Sequence, residues 1–215
     1  YLYGTTDLDY GLEHAGTPVV CKSKDFVNWS FEGSHISDFD WSKGYEYTND
    51  KGEKKKGYFR YWAPGRVIEH DGKFYLYVTF VKPGDKMGTY VLVADRPEGP
   101  FRFTEGKGLF VSGEEVDSPA IIDDIDGEPF IDDDGTGYIF WRRRNAARLS
   151  ADRLHLDGEP VTLKTARQGY SEGPVMFKRK GIYYYIYTLS GHQNYANAYM
   201  MSRESPLTGF VKPEG

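Results

Sequence analysis

The sequence predicts an all-β protein built as a β-propeller, and two observations carry this prediction. Short apolar and aromatic runs follow Gly-containing turns at residues 71–73, 134–137 and 180–181, which is typical of β-hairpins. A four-strand unit recurs every ~40 to 50 residues, a spacing typical of propeller blades. No convincing amphipathic helix separates the copies. An all-β sandwich is the structural alternative.

Each hairpin is followed by a strand with small or polar residues and by a closing segment with an aromatic residue. Residues 18–29, 91–101 and 198–210 resemble one another in this respect, so one supersecondary unit is reused. Residues 1–4 match the second strand of the unit without its first strand, and we therefore expect the chain to be incomplete at its N-terminus. The polar insert at 45–57 reads as a mobile surface loop.

Composition narrows the class of protein. Of 215 residues, 39% are hydrophobic and 27% are charged, as in ordinary globular proteins. The net charge is -5, and the two basic triplets, 54–56 and Arg142–Arg144, read as solvated loops or strand ends. A nucleic-acid partner therefore has little electrostatic support. No apolar run approaches the ~18 residues of a membrane span, so we expect no membrane partner.

Aromatic residues make up 16% of the chain. Flat aromatic side chains pack well in β-sheets and also stack on sugar rings, so this content fits a β protein that binds carbohydrate. The single cysteine, Cys21, cannot form an internal disulfide and reads as a small core residue. The histidines share no metal-binding spacing, and we expect neither a metal nor a cofactor.

Three clusters around prolines carry the candidate chemistry: 61–64, 125–130 and 171–174. Proline belongs at the first residue of a strand or at an edge, so each cluster predicts a strand entrance. The first strand of every propeller blade lines the central channel, and Trp62, Asp126 and Glu172 are therefore expected to converge on one pocket. Two carboxyl groups and a tryptophan suit glycoside hydrolysis. The alternative is that acids at strand ends only bind turn amides or solvent.

These motifs, in this order, resemble those of glycoside hydrolase family 43. The similar segments extend over nearly the whole chain: 1–6, 23–29, 62–64, 130–135, 172–174 and the Tyr-rich strand after 180–181. The resemblance implies a five-bladed β-propeller, with roughly three and a half blades present in one catalytic domain, 1–215, that is incomplete at both termini. It also implies an inverting exo-glycosidase that removes terminal arabinofuranosyl or xylosyl units from plant cell-wall glycans.

The resemblance also implies roles for individual residues. Glu172 of Glu-Gly-Pro matches the general acid, and Asp126 matches the carboxylate that tunes the pKa of this acid and orients it. The family usually has Asp-Pro-Ser where this chain has Asp-Gly-Glu-Pro, which leaves Asp124 or Glu128 as alternatives for the tuning role. Trp62 matches an aromatic residue near the sugar pocket.

Other residues receive smaller roles. Arg144, Asn145 and His192 are candidate sugar contacts. The family's general base is an Asp on a strand that precedes the first motif, so the resemblance implies a base upstream of Tyr1, and we interpret Asp7 and Asp9 as loop residues.

Two further interpretations complete the prediction. The acidic run at 132–135 reads as a hairpin turn, since it lacks the later acidic ligands of a calcium loop. The functional alternatives are a non-catalytic carbohydrate-binding propeller, which would keep Trp62 without needing both acids, and an endo-arabinanase.

Overall fold

A computed structural model describes most of the chain. The described residues are 1–6, 17–36, 39–104, 110–111, 114–115, 119–167, 169–189 and 196–213. The chain forms two compact units, Tyr1–Asp123 and Asp124–Gly215, and almost all regular structure in both is β-strand. Within the described ranges, no helix has the length and apolar character needed to cross a membrane.

Among its described residues, the first unit contains two three-stranded antiparallel sheets and two short hairpins. One sheet has the order β1-β2-β3, built from Leu2–Gly4, Val19–Ser23 and Trp29–Ser34. The other has the order β6-β7-β8, built from Arg60–His70, Lys73–Lys82 and Lys86–Ala94. The hairpins are β4 with β5, Tyr45–Thr48 and Lys54–Gly57, and β9 with β10, Phe110–Val111 and Glu114–Glu115.

The turn between β6 and β7 confirms the first predicted hairpin. His70 pairs with Lys73, and the two intervening residues, Asp71 and Gly72, have φ of 49° and 71°. A two-residue turn with both φ positive matches the twist of the flanking strands, and Asp and Gly tolerate this conformation best. Within the central strand β7, residues 76–81 are all buried, and this stretch includes much of the predicted apolar and aromatic run.

Two expectations for the first unit are wrong. Pro64 does not mark a strand entrance, because it lies inside β6, between two irregularities in the pairing with β7. A bulge leaves a backbone N–H without a ladder partner, which removes the cost of proline there. The insert at 45–57 is also more ordered than expected, since β4 and β5 pair over Tyr45–Gly57 and Thr48–Lys54.

The described part of the second unit forms two further sheets. A four-stranded sheet has the order β11-β12-β13-β14, built from Glu128–Ile131, Gly137–Trp141, Asn145–Leu149 and Leu156–Thr162. A three-stranded sheet has the order β15-β16-β17, built from Val175–Arg179, Ile182–Leu189 and Ala196–Ser202. The predicted turns at 134–137 and 180–181 join β11 to β12 and β15 to β16. The hairpin interpretation of the acidic run is therefore confirmed.

The closing segments are shorter than a full strand in two of the repeated units. Val93 pairs with Arg102 after β8, and Met201 pairs with Val211 after β17, each as a single bridge. Only β14 is a complete fourth strand among the described residues of the four sheets. The repeat inferred from the sequence is present, but its last strand is variable.

Each unit has its own aromatic core. That of the first unit surrounds Tyr61, Leu76 and Phe80, and that of the second surrounds Phe140, Met176 and Tyr185. Cys21 was expected in a core, but it is only half-buried on β2.

Candidate active site

The candidate general acid lies on a short segment before β15. Glu172 is followed by Gly173 and the buried Pro174, and the strand begins at Val175, so this proline does mark a strand entrance. The carbonyl oxygen of Glu172 accepts a hydrogen bond from the backbone N–H of Thr188 in β16, at 3.1 Å. We call residues 169–173 the acid segment.

Asp126 binds this segment directly. The backbone N–H of Gly173 donates to Oδ2 of Asp126 at 2.9 Å. Asp126 has φ of 65° and Gly173 has φ of 54°, so both ends of the contact adopt a left-handed conformation. For a non-glycine residue this conformation costs roughly 1 kcal/mol or more and is concentrated at functional sites. The second candidate carboxylate thus lies on the backbone adjacent to the first.

Several groups act on the Asp126 carboxyl. Burial raises its pKa most, and the negative charge of Glu172 raises it further. The Gly173 hydrogen bond and the positive charge of Arg142 act in the opposite direction, but the pKa stays above its ordinary value. The negative charge of Glu172 thus favours the protonated form of Asp126.

Asp124, one alternative for the tuning role, has another partner. Its Oδ1 lies 2.5 Å from Nη2 of Arg142, and the same oxygen accepts the N–H of Ile125 at 2.9 Å. The two side chains are 13% and 21% exposed, so the ion pair is largely shielded from water. Glu128, the other alternative, begins β11 opposite Phe140.

The turn between β12 and β13 holds the acid segment from the other side. We call Arg142–Arg144 the arginine turn. Its three residues contact three consecutive residues of the acid segment. Arg142 hydrogen-bonds the side chain of Tyr170, the N–H of Arg143 donates to the Ser171 carbonyl at 2.8 Å, and Nη1 of Arg144 donates to the Gly169 carbonyl at 2.7 Å.

The triplet does lie at strand ends, as expected, but Arg142 and Arg144 are half-buried and bind the acid segment. Of the three, only Arg143 has an exposed side chain. Sequence reasoning also missed Tyr170, whose hydroxyl donates to Oε2 of Glu172 at 2.9 Å. A signal was available in the spacing, since Tyr170 stands two residues before the acid on the same short segment.

Asn145 closes the arginine turn. Its Nδ2 donates to the Arg142 carbonyl at 3.1 Å, and its Oδ1 accepts from Oγ1 of Thr162 at 2.9 Å. Both ends of the amide thus stabilise the sheet that carries the turn. A sugar contact of Asn145 stays a prediction.

Trp62 belongs to the first unit and lies half-buried on β6. The guanidinium carbon of Arg60 lies 4.8 Å from the centre of its ring, and Arg60 also forms an ion pair with Asp85. A cation against one face of the indole fixes its orientation. The role of Trp62 as a sugar platform stays a prediction, and His192, Asp7 and Asp9 lie outside the described residues.

The acidic run before β12 forms a clamp between two sheets. Asp132 accepts hydrogen bonds from Nζ of Lys178 at 2.7 Å and from the Tyr183 hydroxyl at 2.6 Å. Across the described part of the chain, no group of three or more His, Cys, Asp or Glu side chains is arranged to hold a metal ion.

Comparison with known proteins assigns the family. The sequence model of glycosyl hydrolases family 43 matches residues 1–214. The chain belongs to glycosyl hydrolases family 43. A solved structure described as a glycoside hydrolase is 42% identical with a TM-score of 0.79, and the match covers 99% of this chain and 44% of that one.

Two curated relatives show the range of substrates named for the family. A β-D-galactofuranosidase of Aspergillus niger is 32% identical over 162 residues, covering 69% of this chain and 45% of the relative. An arabinoxylan arabinofuranohydrolase of Bacillus subtilis is 28% identical over 222 residues, covering 88% of this chain and 41% of the relative. The chain thus spans less than half the length of either curated relative.

The family assignment confirms two expectations from the sequence. The fold class is all-β, and the solved family 43 neighbours are five-bladed β-propellers of which this chain covers a part. The matching model is that of glycosyl hydrolases, which confirms the family resemblance drawn from the sequence motifs.

Proposed function

We propose that this family 43 chain carries the general acid, Glu172, of an inverting exo-glycosidase that removes terminal arabinofuranosyl or xylosyl residues from plant cell-wall polysaccharides or oligosaccharides. In this proposal Asp126 is the carboxylate that tunes and orients the acid. The observation that carries it is the hydrogen bond from the Gly173 N–H to Asp126, because it holds a second carboxyl group beside the acid.

The chemistry requires the two carboxyl groups to differ in protonation. The hydrogen bond from Gly173 and the charge of Arg142 both favour the ionised form of Asp126. The proposal assigns the negative charge to Asp126, whose ionised form these two groups favour against the effect of burial, and assigns the proton to Glu172. Glu172 gives this proton to the glycosidic oxygen as the bond to the anomeric carbon breaks. A water molecule attacks that carbon from the opposite face and loses a proton to a general base.

The structure favours Asp126 over the alternatives for the tuning role. Asp124 is neutralised by Arg142 at 2.5 Å, which weakens its field at the acid. Glu128 begins β11, whereas Asp126 contacts the residue directly after Glu172.

The sugar is proposed from the relatives. The arabinoxylan arabinofuranohydrolase of B. subtilis supports an arabinofuranosyl substrate. The A. niger β-D-galactofuranosidase is the more identical of the two curated relatives, and it favours galactofuranoside as a second candidate. Both names describe furanosides, which differ from xylopyranosides in ring size.

The test uses the full-length enzyme, its Glu172→Gln variant, and unactivated oligosaccharides that carry terminal arabinofuranose, xylose or galactofuranose. We expect the enzyme to release a single terminal arabinose or xylose with inversion at the anomeric carbon, and proton NMR measures the anomeric configuration of the released sugar. Release of galactose instead would favour the second candidate. Glu172→Gln is expected to lose ~10²-fold or more in kcat/KM. Unchanged kcat/KM in the variant would contradict the acid assignment and favour a non-catalytic, carbohydrate-binding role. Internal cleavage products would instead favour an endo-arabinanase.

A further inference from the structure

The hydroxyl of Tyr170 is bound to the candidate acid itself. It donates to Oε2 of Glu172 at 2.9 Å. The intervening Ser171 is only 1% exposed, and its carbonyl accepts the N–H of Arg143. The backbone between the tyrosine and the acid is therefore fixed, and the contact does not depend on a free loop.

The tyrosine ring is held in turn by Arg142. The guanidinium carbon lies 6.0 Å from the ring centre, and the guanidinium also hydrogen-bonds the Tyr170 side chain. Arg142 is fixed by its ion pair with Asp124 at 2.5 Å. A planar guanidinium paired on one side and set against an aromatic ring on the other is well ordered.

The Tyr170 hydroxyl keeps its proton at neutral pH. Burial raises the pKa of Tyr170 most, the Arg142 hydrogen bond lowers it, and the hydrogen bond to Glu172 raises it again, with a net increase. The direction of the hydrogen bond follows, because a protonated phenol donates to the carboxyl oxygen.

Building on the proposed function, we propose that Tyr170 is a positioning residue for Glu172: its hydroxyl binds Oε2, so that the transferred proton is carried on Oε1. As this proton moves to the glycosidic oxygen, the carboxyl group becomes negative. The hydrogen bond from Tyr170 then becomes charge-assisted and stronger. An interaction that strengthens in the transition state raises kcat more than it changes KM.

The test separates positioning of the acid from a structural effect by varying the leaving group. Tyr170→Phe removes the hydroxyl and keeps the ring against Arg142. The substrates are phenyl and 2,4-dinitrophenyl glycosides of the sugar that the full-length enzyme releases. A phenolate leaving group needs protonation, whereas dinitrophenolate leaves without it.

We expect Tyr170→Phe to lower kcat roughly tenfold on the phenyl glycoside, with KM nearly unchanged and little effect on the dinitrophenyl glycoside. Glu172→Gln should show the same selectivity with a larger loss. The double variant should be no slower than Glu172→Gln alone, since the hydroxyl acts only through the acid. The matched control is Tyr184→Phe, which removes the hydroxyl of a tyrosine whose ring centre lies 4.9 Å from that of Phe177. This variant should have the kcat and KM of the wild type on both substrates.

The outcomes distinguish the inference from the function on which it rests. Leaving-group selectivity in Glu172→Gln without selectivity in Tyr170→Phe overturns the positioning role and leaves the acid assignment intact. An equal loss on both substrates in Tyr170→Phe also overturns it, since that pattern indicates a structural effect. Absence of selectivity in Glu172→Gln overturns both.

Discussion

Asp126 accepts, at 2.9 Å, the backbone N–H of Gly173, the residue that follows Glu172. The contact joins two residues that are far apart in the sequence. Its donor is a main-chain N–H, so on that side it does not depend on the identity of a side chain. It also places a partly buried carboxyl group next to the proposed acid. The protonation of this pair is the basis of the predictions for Asp126.

Replacement of Asp126 by Asn is expected to leave the fold at least as stable at neutral pH. The folded-state pKa of Asp126 is raised by burial, so its contribution to the free energy of unfolding is greatest below the unfolded pKa of about 3.9 and is lost as pH rises through the folded pKa. Asn still accepts the Gly173 N–H and carries no charge. Denaturant unfolding at pH 7 measures this, and a clearly less stable variant at pH 7 would contradict it.

Substitutions of Arg143 test how much free energy the left-handed backbone conformation costs in the arginine turn. Its φ and ψ are 64° and 24°, a left-handed conformation that costs a non-glycine residue ~1 kcal/mol. Arg143→Gly is therefore expected to change the free energy of unfolding by less than ~1 kcal/mol. Arg143→Val should lower it by ~1 to 2 kcal/mol, because a β-branched residue fits this conformation worst. Equal stability of the two variants would show that the turn is not strained.

The clamp around Asp132 is expected to stabilise the second unit. Burial raises the pKa of Asp132, but the hydrogen bonds from Lys178 and Tyr183 outweigh it and hold the pKa below its ordinary value. Its stabilisation is therefore present above about pH 3.9 and is lost as pH falls through the folded pKa. Asp132→Asn should lower the free energy of unfolding by about 2 kcal/mol at pH 7 and by less at acidic pH.

The matched control for this clamp is Asp133→Asn. The Asp133 carboxylate also contacts Lys178, at 2.8 Å, but its side chain is 82% exposed. An exposed ion pair is worth little, so a change below ~1 kcal/mol is expected. Equal losses in the two variants would contradict the role assigned to burial.

His35 is expected to make the first unit sensitive to acid. It is fully buried, with Nε2 2.9 Å from the Tyr61 hydroxyl, and burial lowers its pKa to about 4 despite an opposing effect of the Val19 backbone. Below about pH 6.5 the unfolded state takes up the proton first, so the free energy of unfolding falls between about pH 6.5 and pH 4, by up to ~3 kcal/mol. His35→Gln should flatten this part of the stability curve, and parallel curves for the two proteins would exclude His35 as the cause.

The sequence predicted the repeated hairpins because their turns depend on local chemistry. Asp71-Gly72 and Lys180-Gly181 both have positive φ, as two-residue hairpin turns require. Pro64 misled the strand assignment, since a bulge inside a strand tolerates a proline that an unbroken ladder would exclude. The insert at 45–57 was interpreted as a loop although it forms a hairpin, because exposed hairpins and loops are both highly polar.

Only those parts of the site that stand in local sequence motifs were predictable. Glu172 and Asp126 stand in short motifs that a sequence displays directly. Arg142 and Tyr170 interact across separate segments, and nothing in either local sequence indicates the other. Tertiary contacts between side chains on different turns are what single-sequence reasoning cannot supply.

The central claim is that Asp126 keeps the proton on the general acid, and the pH dependence of kcat/KM tests it most directly. In Asp126→Asn the neighbouring negative charge is gone, so the basic limb of the profile is expected to move to lower pH by on the order of one unit, with a corresponding loss of activity at neutral pH. Asp124→Asn is the matched control, and its basic limb should move less because the Asp124 carboxylate binds Arg142 and Ile125, whereas the Asp126 carboxylate binds the residue directly after Glu172. A basic limb that stays in place in Asp126→Asn, with activity merely scaled down, would contradict the account, and a shift in Asp124→Asn alone would transfer the role to Asp124.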